Sequence, residues 1–482
     1  MAHALSRSTF ASAPLIALAA LVVGALTVKM PQVALAGTLL VLLFAVRNES
    51  RSGGLTLLWM YWLLLPLVRR VLDEITNTGG PDPLSLLPFV GTALFAVMEL
   101  RENRLSRRAR TIMLAATAAF AIGVPMGLTA DPTAVLFAVL AYMAGLSAFV
   151  VGYGDQVRPS SGSTLERALM VALVPLALYG IAQFFWPLTS WDEHWISVAD
   201  IASVESPQEG KIRSFSTLNS PFTFAITLAV GLLFALAWRR RLSVTLLYAL
   251  PLVVALALTF VRSAWLALVV GLIVYAAAGR GKAAGRTVAI ILVCLAGLMV
   301  VGSSNPTTKA FTDRITSLGD PDEDRSANER LETTNRLLPQ SISQPLGAGV
   351  GQAGLAAGLS ESGEGKAVEV DNGYLAILYQ SGPLAFVFLL LALGSCVGAA
   401  IKMLGRAPPE DRQYRAVVLA ILVALLLAEA SADVLFGLPG VIFWYLGGVS
   451  VAGLTGHTVQ KGRTPLPINV GKPSESAVSP SA

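Results

Sequence analysis

Long apolar runs recur along almost the whole chain and indicate how it folds. A helix needs about 20 apolar residues to cross a hydrocarbon layer of about 30 Å, and most of the runs have about that length. They predict helices at 11–28, 32–46, 54–68, 84–99, 111–128, 133–153, 165–187, 219–238, 242–260, 263–278, 287–302, 372–400, 416–435 and 438–455. We therefore expect an all-α fold, a polytopic transmembrane helical bundle of about 12–14 helices.

One apolar stretch, residues 242–278, is too long to cross a membrane only once. As a single helix it would extend about 54 Å at about 1.5 Å per residue, which exceeds the hydrocarbon thickness. It is therefore predicted to form a helical hairpin. Its one charged residue, Arg262, is expected at the external turn, within the sequence from Thr259 to Ser263.

Two connections between the runs are longer than the rest, at 188–218 and 303–370. Loops of such length usually carry function or are disordered. The predicted organisation is an N-terminal group of transmembrane helices at 1–164, a core at 165–455 that includes the external loop 303–370, and a tail at 456–482. The tail is rich in Pro, Ser and Lys, so we expect it to be disordered in the cytoplasm.

The composition excludes an ordinary soluble protein, because 54% of the 482 residues are hydrophobic and only 13% are charged. The net charge of +5 does not indicate nucleic-acid binding, since the basic clusters at 101–110, 239–241 and 280–286 all fall on one predicted side. The positive-inside rule assigns that side, with both termini, to the cytoplasm. Arg69 and Arg70 fall on the opposite side and are a mild exception. None of the three histidines has metal-ligand spacing, so no zinc site is expected. The acidic segment 320–324 is interpreted as a solvated turn, with a bound divalent cation as the alternative.

Two arginines on the predicted external side suggest an anion site. Arg262 lies at the membrane surface, where an arginine is a functional hypothesis by default. Arg213 lies in a polar segment that passes through Asn219 and leads into a helix, with Ser220 and Pro221 suited to its first turn. Two guanidinium groups beside a helix N-terminus would match phosphate or pyrophosphate. The alternatives are an Arg262 that extends to lipid headgroups and an Arg213 that is simply solvated.

A carboxylate closes the long external loop. Asp371 precedes Asn372, Gly373 and Tyr374 at the predicted start of a transmembrane helix. In a partly dehydrated site it could accept a proton from an attacking hydroxyl group. The alternative is that it only caps the helix, because Asp and Asn are preferred at that position.

The order of these segments resembles the O-antigen ligase/polymerase superfamily. The resemblance covers roughly residues 165–455 and rests on the spacing of Arg213, Ser216, Asn219 and Pro221, on Thr259, Arg262 and Ala264 in an apolar hairpin, on the segment Pro345–Gly351, and on Asp371–Leu375 with Gly382. The segment 349–354 also matches a dinucleotide-binding pattern, but no strand precedes it and no such cofactor is expected.

The resemblance implies a metal-independent glycosyltransferase of the bacterial inner membrane that needs no cofactor. Its donor would be a glycan on undecaprenyl pyrophosphate, and its acceptor a glycan or a lipid-A-core-type sugar outside the cytoplasm. Membrane lipids are the other expected partners. By the same resemblance, Arg213, Arg262 and Asp371 would be catalytic. The implied substrate-binding residues are Arg330, Arg336, Asn219, Asn372 and Tyr374.

Several alternatives stay open. The ligases usually have His-Asn where this chain has Asp371-Asn372, which favours a polymerase or another polysaccharide-joining enzyme. A transporter or flippase would be expected to show repeated halves, broken helices and charges near the midplane, and the sequence shows none. Glu429 and Asp433, near the outer end of a late helix, would couple an ion in a transporter or orient the arginines in an enzyme. A purely structural membrane protein would not explain the external arginines. The sugar, its linkage and the oligomeric state are not encoded in any motif.

Arg262 and Arg330 are expected to differ in their contribution to activity. Arg262→Ala is expected to lower polymer synthesis far more than Arg330→Ala, because Arg262 would balance the charge of the departing pyrophosphate. Synthesis of polysaccharide in cells that express each variant at equal level measures the difference. Equal synthesis by Arg262→Ala and the unaltered protein would contradict the assignment.

Overall fold

The computed structural model describes residues 31–77, 83–157, 164–199, 212–237, 242–279, 325–354 and 370–460, with a few isolated positions between them. Within these ranges the regular structure is helical, and the β-bridge between Ala353 and Val368 is isolated. We name the helices α1 (Pro31–Glu49), α2 (Arg51–Thr76), α3 (Pro83–Glu102), α4 (Arg107–Ala121), α5 (Val124–Ala130), α6 (Pro132–Val157), α7 (Thr164–Phe185), α8 (Ser190–Ala199), α9 (Pro221–Ala237), α10 (Leu242–Leu258), α11 (Arg262–Gly279), α12 (Arg325–Ser343), α13 (Gly373–Gly405), α14 (Arg412–Glu429) and α15 (Leu438–Gln460). The all-α prediction is confirmed.

The helices also have the lengths that a membrane requires. In the described part of the chain, eight are long and apolar enough to cross a membrane, and α9, α10 and α15 contain shorter apolar segments. The chain is therefore a multi-pass membrane protein. The predicted helices at 11–28 and 287–302 lie outside the described ranges. Two helices were not predicted: α8 lies in the long connection 188–218, and α12 lies in the connection 303–370.

Helix α2 has a buried ion pair near each end. At its start, Arg51 bonds Glu99 at 2.6 Å and Asp155 at 2.8 Å. Near its end, Arg70 bonds Asp192 at 2.5 Å, and neither side chain of this pair is exposed. The two arginines are about 28 Å apart along the helix axis at about 1.5 Å per residue, which is about the thickness of the hydrocarbon layer. We call the two sides of the bundle the Arg51 end and the Arg70 end.

The packing of α11 against α14 sets the height of Arg262 in the bundle. A Cβ on Gly271 in the middle of α11 would lie 3.4 Å from the Cβ of Ala424, and Arg412 at the start of α14 donates to the carbonyl of Ala278 at 3.0 Å. The helices are therefore antiparallel. Arg262, about 13 Å from Gly271 along the axis, lies level with the chain that follows α14.

The packing of α13 against α14 places the start of α13 at the same level. The Tyr374 hydroxyl donates to the carbonyl of Leu426 at 2.7 Å, and Arg415 donates to the carbonyl of Met403 at 2.9 Å. These two helices are also antiparallel. The start of α13 and the first residue of α11 thus lie at the same end of the bundle.

Helix α13 is broken in its first half, which corrects the expectation that no helix is broken. Gly382 has a φ of 81° and is followed by Pro383, so the helical hydrogen bonds cannot continue through this point. The segment 345–354, which we call the glycine loop, supplies the missing partners. Ala348 donates to the carbonyl of Tyr379 at 2.8 Å, and Gly349 donates to that of Gln380 at 3.0 Å. Inside a bilayer such carbonyls must be satisfied by protein.

The glycines of this loop are explained by close backbone contacts. A Cβ on Gly347 would lie 2.4 Å from the carbonyl oxygen of Gln380. On the other side, Gly127 in α5 faces the carbonyl oxygen of Val350, and a Cβ there would approach it to 2.3 Å. The predicted helix 111–128 is itself broken between α4 and α5, which makes room for the loop. The glycine pattern therefore serves packing between two broken helices.

The break in α13 provides a stability test. Gly382→Ala should lower the free energy of unfolding by about 2 kcal/mol or more, because a side chain is strained at this φ and its Cβ would lie 2.3 Å from the carbonyl oxygen of Pro345. Gly394→Ala in the same helix is the matched control, since no atom lies within 4 Å of a Cβ there. Thermal unfolding of both variants in detergent measures the difference. Equal melting temperatures would show that the break does not need glycine.

Candidate functional site

Arg213 lies in the segment before α9, and its side chain contacts the turn between α10 and α11. Its Nε donates to the carbonyl of Thr259 at 3.1 Å, and its terminal nitrogen donates to that of Phe260 at 3.4 Å. The side chain is half-buried, as is that of Arg262 two residues further along the turn. The structure therefore brings the segments of Arg213 and Arg262 together, as the sequence predicted.

The turn itself has the conformation that directs Arg262 into the first position of α11. The Thr259 hydroxyl donates to the carbonyl of Leu256 at 2.7 Å, and Phe260 has a φ of 53°. A helix N-terminus carries partial positive charge, so an arginine at this position is opposite to the usual preference for acidic residues. Arg262 and the helix terminus both carry positive charge, and the Arg213 guanidinium lies at the preceding turn.

Asn219 lies at the end of the Arg213 segment, immediately before α9. Its φ is 57°, in the left-handed region, and its side-chain oxygen is buried without a hydrogen-bond donor among the described residues. The following residues form the helix start that the sequence predicted, since α9 begins at Pro221 and the Ser220 hydroxyl accepts from Thr223 at 3.5 Å. The Asn219 oxygen is thus a buried acceptor at the end of the Arg213 segment.

Asp371 is not the helix cap. Asn372 has that function, because its side chain accepts from the backbone nitrogen of Leu375 at 3.2 Å. The Asp371 carboxylate instead bonds the Nε of Arg330 at 3.0 Å, with 62% of the Asp371 side chain and 45% of the Arg330 side chain exposed. The carboxylate is thus accessible from solvent, with its charge balanced by one arginine.

Tyr374 and Arg336 were also predicted to bind substrate, but Tyr374 is bonded within the protein and Arg336 is directed away from Asp371. The Tyr374 hydroxyl is engaged by the carbonyl of Leu426, and its ring packs edge-on against Phe386 with a centroid distance of 6.4 Å. Arg336 is exposed on α12, about 120° around the helix from Arg330 at about 100° per residue. Only Arg330 of these two arginines therefore faces Asp371.

Glu429 and Asp433 are buried beneath the start of α13. Glu429 accepts from the backbone nitrogen of Leu435 at 3.0 Å, and a Cβ on Gly373 would lie 2.2 Å from its other oxygen. Asp433 lies in the loop 430–437 between α14 and α15, where burial raises the pKa of its carboxyl to about 7. Glu429 thus lies against the backbone two residues after Asp371, and Asp433 lies 3.4 Å from the position of a Cβ on Gly354 in the glycine loop.

Arg70 and Asp192 were not among the site residues that the sequence predicted. Arg70 bonds Asp192 and also donates to the carbonyl of Ser216 at 2.5 Å, three residues after Arg213. Its guanidinium lies over the rings of Phe215 and Trp195, at 4.9 and 5.5 Å from their centroids. The one available signal was that Arg70 is an exception to the positive-inside rule. It is an exception because it is paired inside the protein.

Comparison with known proteins supports the resemblance. Residues 247–390 match the family model described as O-antigen ligase. This part of the chain contains the α10–α11 turn with Arg262, Arg330, the glycine loop and Asp371, whereas Arg213 precedes it. No curated protein matches the chain. The similarity to the O-antigen ligase/polymerase superfamily is thereby confirmed.

The burial of Asp433 predicts how stability depends on pH. Its pKa is about 7 in the folded protein and about 3.9 in an unfolded chain, so the folded state binds the proton more tightly. Its contribution to stability is full below about pH 4 and is lost as the pH rises to about 7. The melting temperature should fall across this window, and Asp433→Asn should flatten the decline. Glu410→Gln, at an exposed carboxylate, is the control and should leave the slope unchanged.

Proposed function

We propose that this chain, which contains an O-antigen ligase segment, transfers a glycan from undecaprenyl pyrophosphate to a sugar hydroxyl at the external face of the bacterial inner membrane. The family match supports a ligase- or glycosyltransferase-type enzyme in general. The observation that carries the finer proposal is that Arg213 is bonded to the turn that places Arg262 at the start of α11. That arrangement suits a diphosphate.

The arginines would act on the leaving group. When the bond between the anomeric carbon and the pyrophosphate oxygen breaks, negative charge develops on the pyrophosphate. Two guanidinium groups and the partial charge of a helix terminus stabilise that charge in place, and electrostatic stabilisation of this kind usually contributes more to catalysis than any other effect. Because the pyrophosphate is already a good leaving group, the proposal needs no metal ion.

Asp371 would act on the acceptor. The acceptor oxygen attacks the anomeric carbon from the side opposite the pyrophosphate, its proton passes to the Asp371 carboxylate, and the configuration at the anomeric carbon is inverted. Arg330 pairs with the carboxylate at 3.0 Å and orients it. Since the pair is exposed to solvent, a large glycan acceptor has access to it.

The identity of the acceptor decides between a polymerase and a ligase. The donor chemistry is the same for both, so the arginines favour neither. Asp371-Asn372 in place of the ligases' usual His-Asn favours a polymerase. We also infer that the Arg70 end faces outward and that both termini lie in the cytoplasm, from the position of the basic clusters.

Transport of a lipid-linked glycan is the second candidate function. The observation that favours it is the break in α13, because broken helices line the substrate sites of many transporters. In this protein, however, the carbonyls at the break are satisfied by the glycine loop. The enzyme proposal therefore has the stronger support.

A direct assay separates the two functions. Purified protein in lipid nanodiscs is supplied with an undecaprenyl-pyrophosphate-linked glycan, with and without a glycan acceptor. An enzyme releases undecaprenyl pyrophosphate only when the acceptor is present, and Arg262→Ala should abolish the release. Absence of release under all conditions, together with movement of the donor across proteoliposomes, would overturn the proposal in favour of transport.

Cells that lack the protein distinguish the two acceptors. A polymerase deletion should accumulate single lipid-linked repeat units, whereas a ligase deletion should accumulate full-length polymer that is not attached to its acceptor. Mass spectrometry of the lipid-linked fraction measures both species.

Asp371→Asn tests the proposed base. The variant should lose about 10²- to 10⁴-fold in turnover, because the amide cannot take the proton. Its melting temperature should change little, since an exposed ion pair contributes only about 0–1 kcal/mol. Asp411→Asn is the matched control, as Asp411 is similarly exposed and pairs with Arg415 at 3.2 Å. If Asp371→Asn keeps full turnover, the proton passes to another group.

A further inference from the structure

Arg70 is buried in a way that needs an explanation. Its side chain is fully buried, and it is paired with Asp192. Bringing two charges out of water weakens the contribution of such a pair to stability, and apolar residues of similar volume often serve as well. A buried pair is therefore weak evidence of a purely stabilising role. Its contacts point to the segment that carries Arg213.

Ser216 is the residue on which the contacts converge. Its carbonyl accepts from Arg70 at 2.5 Å, its backbone nitrogen donates to the Gln183 side chain at 2.7 Å, and its hydroxyl donates to the carbonyl of Leu176 at 2.7 Å. Its φ is 52°, a conformation that a serine adopts only when its surroundings impose it. Both backbone groups and the side chain of one residue are thus held.

Asp192 connects the partners of Ser216 to one another. One of its oxygens bonds Arg70, and the other accepts from Tyr179 at 2.7 Å and from Gln183 at 2.8 Å. The same carboxylate therefore orients the arginine that holds the Ser216 carbonyl and the glutamine that holds the Ser216 nitrogen. Loss of its charge would affect both contacts.

We call Ser216 with its partners Arg70, Asp192 and Gln183 the clamp. Only two residues of the chain separate Ser216 from Arg213. Ser214 is fully buried, and its hydroxyl donates to the carbonyl of Gly180 at 2.8 Å. Phe215 is fully buried and lies against the guanidinium of Arg70. The backbone at Arg213 therefore has little freedom. Its side chain is left to reach the turn at Thr259 and Phe260.

We propose that Arg70 and Asp192 are positioning residues that hold Arg213 beside Arg262 for binding of the donor's pyrophosphate. The proposal rests on the proposed function, because it assigns Arg213 to the pyrophosphate. Neither Arg70 nor Asp192 touches the substrate, since both are fully buried. Their effect passes through the backbone of residues 214–216.

A double-mutant cycle tests the proposal. Asp192→Asn should raise the KM for the lipid-linked donor by about tenfold, the effect expected from a disturbed hydrogen bond to a charged group, while the KM for the acceptor stays unchanged. In the Arg213→Ala background the same substitution should have no further effect on the donor KM, because the residue through which it acts is absent. A purely structural role would lower activity equally in both backgrounds.

Two further variants keep the cycle interpretable. The double variant Arg70→Met with Asp192→Leu removes both buried charges together and should fold, yet it should show the same raised donor KM. Glu99→Gln is the matched control, because Glu99 is buried and paired with Arg51 at the other end of α2. It should lower the melting temperature without changing the donor KM.

A labelling experiment tests the geometry without activity. In a background with Cys294→Ser and Cys396→Ala, the thiol of Ser214→Cys should be protected from a membrane-impermeant maleimide. Asp192→Asn should expose it, and Glu99→Gln should not. Continued protection in Asp192→Asn, or additive effects on donor KM in the cycle, would overturn the positioning proposal. If Arg213→Ala itself leaves the donor KM unchanged, the proposed function is wrong while the labelling result still reports the clamp.

Discussion

Charged side chains and backbone N–H and C=O groups inside the bundle must be paired with other groups of the protein, because hydrocarbon cannot solvate them. Helix α2 shows this constraint at each end. At the Arg51 end, Arg51 meets Glu99 and Asp155, and at the Arg70 end Arg70 meets Asp192. These pairs tie α2 to α3 and α6 at one end and to α8 at the other, so the constraint also fixes where the neighbouring elements lie.

The same constraint explains the glycine loop. The break at Gly382 leaves carbonyls of α13 without helical partners, and the loop donates to two of them. Glycine at 347 allows this close approach, because a Cβ there would lie 2.4 Å from the carbonyl oxygen of Gln380. The loop bonds α13 near the break, and Gly354 at its end donates to the carbonyl of Val368, three residues before Asp371. The packing that closes the break therefore also holds the chain that leads to Asp371.

The charged residues at the Arg70 end are arranged in three ways. Arg70 is balanced inside the protein by Asp192, whereas Arg262 adds its charge to a helix terminus that is already positive. The first arrangement is a fixed contact within the protein, and the second is the one that the proposed function assigns to the pyrophosphate. The exposed pair of Arg330 and Asp371 forms a third region, which is open to solvent and to which the proposed function assigns the acceptor.

The sequence by itself determined the all-α membrane fold, the hairpin at Arg262, the start of α9 and the order of motifs that indicates the superfamily. These features follow from local patterns, namely the lengths of apolar runs, the preferences of residues at helix ends and the spacing of charges. Only the tertiary structure decided that Asn372 rather than Asp371 caps α13, that α13 is broken, and that Arg70 holds the Arg213 segment. Each of these depends on a partner far away in the chain, such as Arg330 for Asp371 or Asp192 for Arg70. A one-dimensional pattern carries no record of which distant residues meet.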